Sequence, residues 1–196
     1  MGFSLRKTID KVCAGLCAIG LDAHVVEGHH LEGKDTLGWV LGKDDQSLGL
    51  IEIRDSPIRW VNVIKEKRSE EVDYRNVYVV RDQNVSARGE YRLIESVQVR
   101  KMPLFGRVVD IRWEGKLQDN LIRRLNEDVL LIRSLIKLKE KVTVRSFPEY
   151  KCWSISSSRT STGNIPWILF ARPAPSRAQW DCYETIARHL LESSKK

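Results

Sequence analysis

Five residues near the N-terminus have the types that bind soft metal ions: Cys13 and Cys17, one helical turn apart, then His24, His29 and His30. Thiolate and imidazole at that density suit zinc. The spacing argues against it. No CxxC pair is present, Cys13 borders an apolar helical stripe, and on a continuing strand His29 and His30 face opposite ways. The expectation is no metal and no cofactor. Cys182 and His189 have the types of a nucleophile and its base, but seven residues of helix hold them about 10 Å apart, beyond hydrogen-bond reach. Both project from the last helix away from its apolar stripe and are expected at the surface.

Phosphate chemistry has no motif: GxxxxGK[ST] is absent, and no GxGxxG joins a strand to a helix. The loop SSSRTSTGN carries hydroxyls, an arginine and a glycine that can cradle an anion. Glu52, between Ile51 and Ile53, and Asp110, between Val109 and Ile111, alternate with apolar neighbours and are expected on solvated strand faces.

The formal charge of +7 is not spread evenly. Residues 1–65 have a net charge of −1, residues 66–115 of +1, and residues 116–196 of +7. Within the last segment, Arg133, Lys137, Lys139, Lys141, Arg145, Lys151, Arg159, Arg172 and Arg177 stand against only Glu140 and Glu149. These nine are the candidate contacts for RNA or another polyanion, with Trp153 and Trp167 interleaved. Both tryptophans lie in apolar runs and are expected in the core. No RNP, KH or zinc-finger signature accompanies them. The helix-strand-strand-strand-helix order shared with double-stranded RNA-binding domains comes without their basic motif at the start of the last helix.

These residues need a scaffold, and the pattern predicts an α+β fold with mostly antiparallel strands. Leu5, Ile9, Val12, Leu16 and Ile19 define an N-terminal helix from the N-cap Ser4 to Gly20. AHVVEG, TLGWVLG and LGLIEIR read as a strand meander, and YRNVYVVR as a further strand. Residues 57–71 fit either element: Ser56-Pro57 with Ile58, Val61 and Ile64 suits a helix, while the density of valine and isoleucine suits a strand. YRLIESVQVR and GRVVDIRW form a hairpin with Leu93, Val97 and Val99 facing the same way as Val109, Ile111 and Trp113.

One long central helix is expected from Lys116 to Lys139, with Leu117, Leu121, Leu125, Val129, Ile132, Leu135 and Ile136 on one side. Leu130, Leu131 and Leu138 spread its apolar surface further, so the helix is either central or meets another subunit through Val129 to Leu138. KVTVRSF, YKCWSISS and IPWILFA then read as strands. A C-terminal helix starting near Pro175 buries Trp180, Tyr183, Ile186, Ala187 and Leu190.

Two modules follow, 1–90 and 91–196, which can also pack as one domain. Their parallel layouts suggest duplicated α-β-β-β units, although Trp39 and Trp60 are spaced differently from Trp153 and Trp180. From residue 91 onward the order β-β-α-β-β-β-α is similar to that of longin and roadblock-like modules, a resemblance of element order that implies scaffolding of protein complexes. No apolar run reaches the roughly 20 residues that cross a bilayer, no export signal opens the chain, and the four cysteines form no disulfide pattern. A cytoplasmic protein off the membrane is expected. By elimination the sequence reads as a non-catalytic binding or assembly module, self-associating or meeting a protein partner, with polyanion binding second and an enzyme of unrecognised type third.

Overall fold

Gly20 closes the first helix as its position predicts. Its φ of +87° is a conformation that glycine adopts without steric cost, and Leu21 N–H then donates back to Leu16 O at 3.3 Å. The computed structural model describes residues 2–26, 46–68, 71–85, 93–100, 108–115, 120–157 and 174–193. Among them are four α-helices and eight strands, and every strand pairing described below is antiparallel. The α+β class is as expected. Among the described residues no helix is long and apolar enough to cross a membrane. The chain divides into two compact units, residues 1–79 with 160–177, and residues 80–159 with 178–196.

In the first unit, α1 (Gly2–Ala18) buries Ile9, Val12 and Leu16 against β1 (Ala23–Val25) and β2 (Gln46–Ile53). A bulge between Ser47 and Gly49 interrupts β2, and Ile9 fills the space a Cβ at Gly49 would need. β3 (Trp60–Arg68) and β4 (Glu71–Arg81) complete the order β1–β2–β3–β4. Within the two-way segment 57–71, Trp60–Arg68 and Glu71 are therefore strand. Val61, Asn62, Val63 and Ile64 are all buried, so both faces of β3 are covered and no polar alternation marks it. Ser56 does not cap a helix; its hydroxyl accepts from Ile58 N–H at 3.2 Å in the turn before β3.

The second unit has the strand order β8–β7–β5–β6, with β5 (Leu93–Arg100), β6 (Val108–Gly115), β7 (Val142–Phe147) and β8 (Cys152–Ser157). The β5–β6 hairpin forms as predicted, but its inward face is shifted by one residue. Ser96 lies opposite Trp113 and Gln98 opposite Ile111, whereas Val97 and Val99 lie opposite Arg112 and Asp110. Directly opposed residues share a face, so Val97 and Val99 are on the side away from Ile111 and Trp113. Two polar side chains take the inner positions because they satisfy main-chain groups. Ser96 Oγ accepts from Val142 N–H at 2.6 Å, and the Gln98 amide donates to Lys139 O at 3.3 Å.

The long helix expected over 116–139 is two helices, α2 (Asn120–Glu127) and α3 (Val129–Leu138). Asp128 separates them: its carboxylate accepts from Leu131 N–H at 2.9 Å and caps α3. The wide apolar surface of the sequence is thereby split. Leu121, Ile122 and Leu125 are buried from α2, Leu131 and Leu135 from α3. Asn126 closes the outer edge of β6, accepting from Trp113 N–H at 2.8 Å and donating to Trp113 O at 3.0 Å. The final helix α4 (Arg177–Ser193) buries the predicted stripe. The segments 36–42 and 165–171, each expected to be a strand of a repeated module, and the loop 156–164 beyond Ser157 lie outside the described residues.

Candidate functional site

The feature that burial does not explain lies on α3. At 3.6 residues per turn, Leu131 and Leu135 point inward while Val129, Leu130, Arg133 and Lys137 occupy one outward arc. Leu130 is 75% exposed and Val129 is 54% exposed, the two largest exposures recorded for a large apolar side chain among the described residues. Arg133 and Lys137 follow one turn apart. Lys139, in the left-handed conformation at φ +56°, ends the helix, and exposed Lys141 leads into β7. None of these four cations has an ion-pair partner among the described residues. Lys137 and Lys139 also complement the negative end of the α3 dipole.

Polar contacts on several sides hold this helix in place. Along α4, Arg124 pairs with Glu192, His189 Nε2 donates to Asp128 at 2.8 Å, and Gln179 donates to Glu140 at 2.5 Å. Glu140 is fully buried, with its carboxylate also accepting from Ser157 of β8. A buried carboxylate is tolerated only when hydrogen-bonded, and here the donors come from two different elements. Gln98 of β5 donates to the Lys139 and Glu140 carbonyls. The exit of α3 is thus tied to β5, β8 and α4.

Of the nine predicted cations, Arg133 and Lys137 share the outward arc of α3, and Lys139 and Lys141 follow directly after its end. Arg145 alternates with the buried Val144 and points to the other face of β7. Lys151 stands at the turn between β7 and β8, at the far end of the hairpin from Lys141. Arg177 belongs to the first unit, where its guanidinium donates to Ile19 O at 3.2 Å. Arg159 and Arg172 lie outside the described residues, as does Trp167. Trp153 is buried, with its indole N–H donating to Asp82 at 2.9 Å.

Among the described residues the metal-type side chains do not form one site. Cys13 and Cys17 both donate to Ala23 O, at 3.4 and 3.5 Å, whereas His24, the next residue on β1, turns to the opposite face and pairs with Asp22 at 2.6 Å. Among the described residues no group of three or more ligand-type side chains forms a metal site. His29 and His30 are outside them. Glu52 pairs with Arg59 at 2.5 Å, and Asp110 is half-exposed near Arg112, both on solvated strand faces as expected.

Cys182 and His189 correct the surface expectation. Cys182 is buried and His189 largely so, because the side of α4 away from its apolar stripe meets the α2–α3 corner. Burial pushes the Cys182 thiol up to about 11, with Asp181 and Glu140 adding to it, and burial then Glu149 push Cys152 to about 12. Neither is a thiolate at neutral pH. Mass spectrometry after brief native alkylation should therefore find Cys17 modified and Cys152 and Cys182 unmodified, with all four modified in denaturant. Rapid native labelling of Cys182 would overturn this packing.

Asp128, Asn126 and Glu140 were not among the sequence candidates. Asp128 had a readable signal, an N-cap type directly before the apolar run VLLI. The other two act through residues far away in the chain and had none. No protein-family model, no curated protein and no solved structure matches this chain.

Proposed function

We propose that the protein is a non-catalytic binding or assembly module that meets a protein through the outer face of α3. The observation that carries this reading is Leu130, a leucine three-quarters exposed on a helix fixed by its neighbours on several sides. An isolated exposed leucine is ordinary. Here it adjoins half-exposed Val129 and two cations on one arc, the mixed apolar and arginine-containing make-up of interface centres. Polyanion binding retains the exposed cations on α3 and just after it but loses Trp153 as a base-stacking platform, since that ring is buried. The cytoplasmic setting belongs to this reading, and four free thiols suit a reducing compartment. So does the duplicated-module layout, supported by helix and antiparallel strands in each unit.

The test compares wild type with Leu130→Asp by light scattering and by gentle pull-down. Wild type is expected to self-associate or retain a protein partner, and the variant to lose this while its stability stays within about 0.5 kcal/mol, as for a surface substitution. A monomeric wild type that retains no partner, or a Leu130→Asp variant that still associates as the wild type does, counts against the reading.

A further inference from the structure

We infer that the occupant of the α3 face is an acidic, apolar segment of a different protein, an inference that rests on the interaction reading above and specifies its partner. Charge complementarity carries it. The outward arc of α3 offers Val129 and Leu130 in its first turn, then Arg133 and Lys137, with Lys139 and Lys141 beyond its end, and no carboxylate lies on the helix itself. A ligand that matches this order buries an apolar side chain against Leu130 and sets carboxylates one and two turns further on, against Arg133 and Lys137.

A second copy fits poorly. Packed parallel, two α3 helices oppose cation to cation; packed antiparallel, Lys137 of each sits on the other's Leu130, and just before the helix only Glu127 offers a carboxylate not already paired, since Asp128 caps α3 and holds His189. Size points the same way. Ten residues of helix are about 15 Å long and about 10 Å across, a face on the order of 150 Å², well short of the roughly 800 Å² per partner of a stable globular interface. A short segment laid along the helix fits that area.

The probe is a fluorescein-labelled helical peptide of about sixteen residues, four turns, with leucine at one face and glutamate beside it. Its control replaces each glutamate by lysine. Binding to the full chain is measured by fluorescence anisotropy, with Leu130→Ser and the double variant Arg133→Glu, Lys137→Glu, all exposed positions, checked by circular dichroism. The expected result is that the acidic peptide binds, the lysine peptide does not, and each variant weakens binding about tenfold or more, with the affinity falling as salt rises.

Equal binding of the two peptides, or no binding of the acidic one, overturns the inference. A concentration-dependent dimer that Leu130→Ser dissolves also overturns it while sustaining the interaction reading. If neither peptide binding nor self-association depends on Leu130, both fall. Single-stranded RNA or phosphatidylserine vesicles bound through the cations without any dependence on Leu130 replace the acidic segment with a polyanion or a membrane surface, and overturn it as well.

Discussion

Trp153→Ala is expected to lower the unfolding free energy by about 3–5 kcal/mol, the range for deleting a buried large aromatic. Trp153 is 2% exposed on β8, facing Ser146 across the pair, and its indole N–H donates to the carboxylate of Asp82, itself 4% exposed. Asp82 also accepts from Asn84 N–H at 2.9 Å, and its own N–H donates to Lys151 O at 2.8 Å, so the ring secures the start of the second unit to the β7–β8 turn. Removing it opens a cavity and takes one donor from a buried charge. Against a typical total of about 5–15 kcal/mol, that leaves a marginal protein. Trp153→Phe separates the two contributions: it keeps most of the ring and loses the hydrogen bond to a charged acceptor, for about 1.5–3 kcal/mol. Urea midpoints measure both. A Trp153→Ala variant as stable as wild type would mean the ring is at the surface and would restore the base-stacking reading.

The same residue shows why a linear basic stretch was an incomplete guide. Between Arg133 and Arg177 the chain passes from helix to strand to turn, and each change of element redirects the side chains. Alternation along β7 sends Arg145 away from Val144, the hairpin carries Lys151 to its far end, and Arg177 falls in the other unit. Among the described residues, Arg133 and Lys137 share one arc of α3, and Lys139 and Lys141 follow directly after its end. Local signals were read where local physics decides the outcome: Gly20 at the end of α1, the buried stripe of α4, the β-branched strands. They misled where distant partners decide. Val97 and Val99 have the apolar character of an inner face, but Ser96 and Gln98 take that face because main-chain groups of residues 139, 140 and 142 lie there to be satisfied. In β3, burial on both faces erased the alternation that distinguishes strand from helix.

Asp128 was legible as a cap yet was read through as helix, and it carries the second large effect. Burial opposes its charge, but the hydrogen bond from His189 and the N–H groups of Leu131 and Leu130 outweigh this and hold the carboxyl below its usual value of 3.8. A carboxyl with a depressed folded pKa stabilises the fold fully above its unfolded value, and that contribution is lost as pH falls through the folded one. Asp128→Ala removes the cap and strands His189, at a cost of about 1–3 kcal/mol near neutral pH. Asp128→Asn keeps an oxygen for Leu131 N–H, so it should recover part of that loss. What it cannot recover is the pH-dependent part. The stability gap between wild type and Asp128→Asn, followed by urea midpoint, should therefore hold steady through neutral and mildly acidic pH and narrow below about pH 4. A gap unchanged at pH 3 would show that the carboxylate charge contributes nothing. Because Asp128 sets the first turn of α3, where Val129 and Leu130 lie, the two variants also divide the surface from its support. Asp128→Ala should weaken ligand binding by loosening that turn, Asp128→Asn should retain it, and a loss of binding in both would place the carboxylate itself in contact with the partner.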